Sequence, residues 1–472
     1  MNISIRAASA ALLVLTLACA QGNVGRPSGR PEGRAEARPT FANDAALIDD
    51  VQHRTFNWFW ETTNAKNGLV HDRWPTKSFS SIAAVGFGLT AYGIGAERGW
   101  VTREAAAERV LTTLRFFENG VEGDRGFYYH FVDMETGKRF KQVELSTIDT
   151  TLILAGALFC QSYFDRDNET ERAIRETAER LYTRAEWNQF HERPPLISMG
   201  WTPEDGLHDY DYTGYNEAMI LYVLAIGSPT HPVSPKAWNA YTKTYKWDTH
   251  YGQQHVVFAP LFGHQYSHIW IDFRGIQDHV MREKGIDYFE NSRRATYSQR
   301  AYAIANPMGW RGYGENVWGL TACDGPFDGK LTINGVEREF RTYAARGTAP
   351  NELRDDGTLA PTAAVSSIAF APEIAIPATA AMIRTYGDHL YQKYGFLDSF
   401  NPTLNFEHKV QDGKIVPGVG WFDTDYLGID QGPIVAMIEN HRSGLVWNTM
   451  RRNEHIRLGL RRAGFTGGWL GE

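Results

Sequence analysis

The 472-residue chain is 43% hydrophobic, enough to bury a large core in one toroid or barrel or in two to three ordinary domains, and this excludes a small stapled scaffold. Its net charge of −7 gives no reason to expect nucleic acid, whose binders carry basic stripes. Aromatic residues make up 13%, with 14 Trp and 22 Tyr, which exceeds the needs of a core and suits a surface that stacks on flat, ring-shaped ligands such as sugars.

Residues 1–20 have the pattern of a secretory signal: Arg6, the apolar run "AASAALLVLTLA" and a small-residue exit, too short to span a membrane. "TLAC" presents Cys19 as a lipobox-like cysteine and a lipid anchor is expected there, with Ala18 and Ala20 forming a competing A-x-A site. The expected setting is therefore export, to the periplasm or outer membrane as a lipoprotein, or secretion. Residues 21–42 are rich in Gly, Pro and Arg, bury nothing and form a linker. Of the other cysteines, Cys160 sits in the apolar run "LILAGALFC" and Cys323 in "TACDGP", and free thiols are expected at both.

From residue 43 to 472 helical periodicity dominates, as a single catalytic-sized domain. Helices are predicted at 45–63, 79–98, 102–118, 147–164, 168–185, 215–227, 234–246, 279–304, 363–369, 374–393, 424–440 and 447–463. Some, such as "REAAAERVLTTLRFFENG", are amphipathic, whereas "SIAAVGFGLTAYGIGA" and "TTLILAGALFC" are apolar nearly all round and must be covered on every side. Alternation of the two kinds is what concentric rings produce, so the fold class is all-α, an (α/α)6 barrel or toroid. The pieces "GFYYHFVD", "PLISMGW", "HIWIDFR" and "KLTING" alternate like short strands and belong to loops over one end. The irregular stretch 306–361 has the character of a binding loop.

Polar and aromatic residues cluster in the connections: "HDRW", "GFYYHFVD", "ELSTIDTT", "SMGWTPEDGLHDYDYTGYNE", "FGHQYSHIWIDFRG", "ENVWGLTACDGP", "APTAAVSSIAFAPE" and "GWFDTDYLGIDQGP". In a toroid these converge on one mouth, lined by rings for sugar faces and carboxyl groups for acid and base. Glu217 begins an inner-type helix. A first-turn charge stabilised by the helix dipole accounts for its position alone, but the apolar continuation "AMILYVLAIG" places it in a cavity, where desolvation raises its pKa and suits it to general acid work. Asp149 in "STIDTTLILAGAL" repeats the device, with helix capping by Ser146 or Thr147 as the competing role. Asp324 and Asp430, each followed by Gly and Pro, read equally as Asx turns and stand as alternative bases. His264 and His268 have i, i+4 spacing, but the strand-like continuation argues against a zinc helix and no metal or cofactor is expected. His268, Trp270, Asp272 and Arg274 are instead assigned to a ligand-facing strand edge. Substrate contacts are further expected from His130, Glu144, Trp201, Tyr215, Trp318, Glu373 and Trp421.

The strings "SIAAVGFGLTAYGIGAERGW", "STIDTTLILAGAL", "GYNEAMILYVLAIGSPTHP", "PLFGHQYSHIWIDFRG", "NPMGWRGYGENVWGLTACDGP", "DGTLAPTAAVSSIAFAPE" and "LGIDQGPIVAMIENHRSGLVW" together resemble the bacterial glucoamylase-like family, glycoside hydrolase family 144, from about residue 45 to the C-terminal region. The resemblance implies a single (α/α)6 barrel, metal-independent, anomer-inverting hydrolysis of β-1,2-glucans, and a secreted or periplasmic setting. It makes Glu217, in "GYNEAM", the general acid and, through "STID", Asp149 the base. An oligo- or polysaccharide substrate and a monomer are the expected partners and state. Rival functions are an α-glucan hydrolase of glucoamylase type, a sugar epimerase or isomerase leaning on a His base, and a non-catalytic glycan-binding lipoprotein.

Overall fold

The computed structural model describes residues 40–471 except 192 and 194, so the signal segment, Cys19 and nearly all of the linker lie outside the described residues. Fifteen α-helices are present among the described residues. In chain order they are α1 (Asp44–Thr62), α2 (Ile82–Glu97), α3 (Arg103–Asn119), α4 (Thr147–Tyr163), α5 (Glu169–Thr183), α6 (Met219–Gly227), α7 (Lys236–Thr242) and α8 (Phe262–Trp270). These are followed by α9 (His279–Lys284), α10 (Tyr288–Ala305), α11 (Pro361–Val365), α12 (Pro372–Leu390), α13 (Gly428–Arg442), α14 (Leu445–Met450) and α15 (Glu454–Arg462).

The most apolar helices form a closed inner ring, in which α2 packs on α4, α4 on α6, the 3-10 turn Ser366–Ala369 after α11 on α13, and α13 back on α2. Between α6 and α8 the link is Ser267 Oγ, which donates to the Glu217 carbonyl at 2.7 Å and accepts from Ile220 N at 3.1 Å. From α8 to α11 it is Gln265 Nε2, donating to Ala363 O and Ser367 Oγ. Outside lie the amphipathic helices: α1 against α13 and α2, α3 and α5 against each other and against α2 and α4, α15 against α6, α10 against α8, and α12 against α11. This is the (α/α)6 toroid expected from the alternation of apolar and amphipathic segments. The reason is direct: α2 and α6 are buried over almost their whole length, whereas α5 buries one stripe.

Ring closure depends on close helix approach. A Cβ on Gly86 of α2 would lie 2.2 Å from Leu152 O of α4, and one on Gly156 of α4 would lie 2.2 Å from Gly86 O, so the two backbones touch where both helices lack side chains. Gly86→Ala is expected to lower unfolding free energy by about 1–3 kcal/mol through overpacking, read as a reduced urea midpoint with little change in slope.

Several boundaries depart from the sequence pattern. The segment 279–304 is two helices, interrupted at Gly285, which adopts φ +69°. The segment 447–463 is likewise divided, into α14 and α15. Helix α6 begins at Met219 rather than at residue 215, leaving Glu217 in the turn just before it. "HQYSHIW" is helix α8, not a strand edge, because Ile269 and Trp270 pack into the ring core. The hairpin 329–340 does form, turning on Asn334 and Gly335, both at positive φ. The connections preceding the inner helices gather at the ring's N-terminal end, where Arg73–Trp74 pairs with Tyr426–Leu427 and Leu145–Ser146 with Gly200–Trp201. At the opposite end α14 closes the ring, with Trp447 Nε1 donating to His268 O at 2.6 Å. Cys160 and Cys323 are both buried free thiols, as expected.

Candidate active site

Three inner helices start on a carboxylate. Glu217 lies in the turn before α6, next to its N-cap Ala218, Asp149 lies in the first turn of α4 and Asp430 in the first turn of α13. Because the inner helices run in the same direction around the ring, their N-termini open on the same mouth, and all three residues are at most 8% exposed.

Glu217 is 5% exposed and its Oε2 finds no hydrogen-bond partner among the described residues. Burial pushes its carboxyl up to about 7; hydrogen bonding to backbone opposes the shift and the negative charge of Asp149 adds to it. The competition between desolvation and the helix start is therefore won by desolvation. Asp149 is held differently. Ser146, the N-cap of α4, accepts from Asp149 N at 3.2 Å and its Oγ donates to Asp149 Oδ2 at 2.5 Å. His130 sits between two acids, with Nδ1 2.9 Å from Glu144 Oε1 and Nε2 3.6 Å from Asp149 Oδ2. Burial would lower the His130 pKa, but the two carboxylates outweigh it and push it up to about 9, so the ring is an imidazolium at neutral pH. Burial raises Asp149 above the ordinary carboxylate range against the pull of His130 and Ser146, and Glu144 lies below its ordinary value because the His130 charge overcomes its burial.

Across the mouth is a second acidic group. Asp324 Oδ2 accepts from Arg73 Nη1 at 2.7 Å, and Asp324 N donates to Asp398 Oδ2 at 2.7 Å. Burial pushes Asp324 up to about 6 and Asp430, which shares a hydrogen bond with Asp398, up to about 7; Asp398 and Asp423 are raised further by burial and by neighbouring acids. Ring nitrogens and carboxylate oxygens of a kind able to ligate a cation lie within 4.8 Å of one another in two groups, His130–Glu144–Asp149 and Asp324–Asp398–Asp423. In the first group the two ring nitrogens face the two carboxylates as an ion-pair cluster, and in the second Arg73 already supplies a cation. Asp72 connects the two groups, raising both His130 and Asp430. Tyr266, 7% exposed with its hydroxyl on Ile429 O at 3.0 Å, feels Asp430, Glu217 and Asp149 alike.

Of the residues singled out in the sequence, the mouth gathers Glu217, Asp149, His130, Glu144, Asp324 and Asp430. The expected stacking aromatics are elsewhere. Tyr215 is buried against His264 and Tyr288, with ring centroids 4.7 Å and 6.0 Å away. Trp270 stacks on Phe87 and donates to Thr90 Oγ1 at 3.0 Å inside the ring. Trp318 is fully buried, and Trp421 is packed in a small core with Trp310, Phe327, Phe340 and Leu404. Trp201 is half-buried, but its strand alternates so that Gly200 faces Glu144 while Trp201 shares a shallow outer hollow with Leu145, Phe190 and Leu207. His268 is buried on α8 with Nε2 3.0 Å from Ser292 Oγ, and its pKa falls to about 3 through burial. Asp272 is buried at the far end of the ring, paired with Arg274 and Arg451, and the Arg274 guanidinium lies over Trp447 at 4.1 Å. Glu373 lies in the first turn of outer helix α12 and pairs with Arg293 and Tyr297 of α10. These positions failed for one reason: composition marks a Trp or a carboxylate but not which side of the ring it faces.

The half-buried aromatics at the mouth are Trp74, tilted on His71 at 5.1 Å, Phe131, stacked on His130 at 3.9 Å, and Tyr343, which faces Asp430, Asp398 and Asp324. Trp74 and Phe131 lie in strings noted above, "HDRW" and "GFYYHFVD". Asp398 and Tyr343 carry no comparable signal, since they reach the mouth only through the 391–427 and 306–360 connections.

Comparison with known proteins places this architecture. The chain is 30% identical to an exo β-1,2-glucooligosaccharide sophorohydrolase (non-reducing end) of Parabacteroides distasonis, a match that covers 89% of this chain and 58% of that protein. The chain thus spans under two thirds of the curated relative it matches. A Bacteroides uniformis protein whose crystal structure is described as "a putative glucoamylase" superposes with TM-score 0.79 and 32% identity, covering 92% of this chain and all of that one. An endo-β-1,2-glucanase from Chitinophaga pinensis, in complex with sophorotriose and glucose, superposes with TM-score 0.78 and 28% identity, covering 90% of this chain and 99% of that one. The family model described as "Putative glucoamylase" matches residues 209–454, more than half of the sequence and the stretch that carries Glu217, Asp324, Asp398 and Asp430. The chain belongs to that family, the bacterial glucoamylase-like proteins whose motifs it shares.

Proposed function

We propose that the protein is an exported glycoside hydrolase that cleaves β-1,2-glucan or its oligosaccharides by an inverting, single-displacement mechanism. The observation that carries the chemistry is Glu217: a carboxyl held near pH 7 by burial, at the mouth of the ring, with an oxygen turned away from every described protein donor. A group protonated at neutral pH can hand its proton to a glycosidic oxygen as the bond breaks. The second carboxyl, Asp149, activates water from the opposite face, and Asp324 and Asp430 are the alternative bases. The names of the relatives, a sophorohydrolase and an endo-β-1,2-glucanase, support the β-1,2 linkage. The leader-like residues 1–20 support export.

Incubation with linear β-1,2-, β-1,3-, β-1,4- and α-1,4-glucans, with products sized and their anomeric form followed by NMR, tests this reading. Short β-1,2-linked products released as the α-anomer are expected. Cleavage of α-1,4-glucan alone, interconversion of a monosaccharide, or saturable binding with no product would each overturn it. Trp74, Phe131 and Tyr343 take the stacking role in place of the buried tryptophans. Trp74→Ala is accordingly expected to raise KM by about 10-fold with a smaller change in kcat, because a lost ring face weakens ground and transition states together.

A further inference from the structure

We propose that His130 is a positioning residue for this reaction: as an imidazolium clamped between Glu144 and Asp149, it holds Asp149 ionised beside a protonated Glu217. The inference rests on the role given to Asp149 above. It stands on geometry in which both ring nitrogens are committed, Nδ1 to Glu144 Oε1 at 2.9 Å and Nε2 toward Asp149 Oδ2 at 3.6 Å.

The backbone fixes the ring's place. His130 N donates to Glu144 O at 2.9 Å, so the residue is tied to the same segment that its side chain contacts. His130 O accepts from Ile82 N at 3.3 Å, satisfying an N–H of the first turn of α2. The ring is further stacked on Phe131 with centroids 3.9 Å apart. The backbone of His130 thus bridges the starts of α2 and α4, and the Glu144 and Phe131 contacts hold its ring toward Asp149.

The problem this solves is electrostatic. Two buried carboxyls that influence each other oppose double ionisation, and an acid–base pair needs one protonated and one ionised. Nothing in burial alone decides which: Asp149 is 8% exposed and Glu217 5%. The asymmetry comes from partners. Asp149 has a cation and the Ser146 hydroxyl against it, whereas Glu217 Oε2 has no donor among the described residues. The groups facing His130 are Glu144 and Asp149 from the connection before α4 and its first turn, and Asp72 from the connection before α2; His208 in turn faces Glu144. All that act directly on the ring are acids, so the imidazolium form persists through the neutral range, its pKa pushed up to about 9.

The test is the pH profile of kcat/KM on a β-1,2-linked oligosaccharide. In the wild type the acid limb reports ionisation of Asp149 and the basic limb loss of the Glu217 proton. His130→Gln removes the cation and should move the acid limb up by about one pH unit or more, narrowing the bell, since an opposite charge at this distance commonly shifts a carboxyl by about 1–3 units. Glu144→Gln leaves the charged ring in place and removes a negative charge that raises Asp149, so it should move the same limb slightly down, opposite to His130→Gln. A purely structural role would lower activity at every pH and leave both limbs where they are, which would overturn the proposal. A readout independent of turnover is the NMR titration of the His130 ring, assigned by its disappearance in His130→Gln; titration in the ordinary histidine range would also overturn it. Retained activity in Asp149→Asn would instead sink the role given to Asp149 and leave the titration of His130 as measured, so the two failures are distinct.

Discussion

Glu217→Gln is expected to lose hydrolysis by about 10²–10⁴-fold in kcat while still binding oligosaccharide, because the amide keeps the shape of the side chain and loses only the transferable proton. The same substitution has an opposite effect on stability. The unfolded carboxyl titrates at its ordinary 4.5 and the folded one near 7, so between these values the folded state binds the proton that the unfolded state has released. Folding free energy therefore weakens as pH rises through that window, and above it the ionised buried carboxylate costs on the order of 3 kcal/mol. The neutral amide in Glu217→Gln carries no such penalty. Urea unfolding of the two proteins at pH 5 and pH 8 should show the variant gaining on the wild type as pH rises. An inactive variant with no pH-dependent gain would mean that Glu217 is already ionised at neutral pH, and the acid role would fall. Near-wild-type turnover would do the same more directly.

Asp149→Asn is expected to lose about 10²–10⁴-fold in kcat with KM little changed, since the substitution removes a base and preserves an acceptor for the Ser146 hydroxyl. The comparison that gives this its force is with Asp324→Asn and Asp430→Asn. Asp324 is engaged by Arg73 at 2.7 Å, so its loss leaves a guanidinium without its shortest partner and should first lower stability. Asp430 is held near pH 7 by burial and shares its hydrogen bond with Asp398, which makes it a poorer base at neutral pH than a carboxylate facing a cation. If Asp149→Asn kept activity within about 10-fold and one of the other two did not, the base would lie across the mouth, among the aspartates that approach Arg73.

Much of this architecture can be read from residue order. Continuous apolar character in "SIAAVGFGLTAYGIGA" and "AMILYVLAIG" requires a helix surrounded by other helices, and amphipathic neighbours such as "REAAAERVLTTLRFFENG" supply the cover. Carboxylates at the starts of α4 and of α6 are visible for the same reason: an ionisable group at the edge of an otherwise unbroken apolar helix stands out. Helix α8 escapes the pattern because "HIWIDFR" alternates over a few residues, and a short buried helix at a ring interface has no solvated face to give it a 3.6 period.

Side-chain direction is the other loss. Trp270 and Trp318 carry the same composition signal as Trp74, yet the first two pack inward and Trp74 stands half-buried at the mouth. Likewise Asp272 and Asp398 are equally acidic in sequence, but one is neutralised by Arg274 and Arg451 at the closed end and the other meets Asp324 and Asp430 at the open end. Local periodicity and apolar content are properties of adjacent residues, so the toroid class, the inner or outer rank of the longer helices and the position of Glu217 and Asp149 follow from them. The pairing of His130 with Asp149, the meeting of Asp324, Asp398 and Asp430, and the choice of which aromatics face substrate join residues far apart in the chain. Those are decided only when six inner helices close into a ring and bring their N-termini to one mouth.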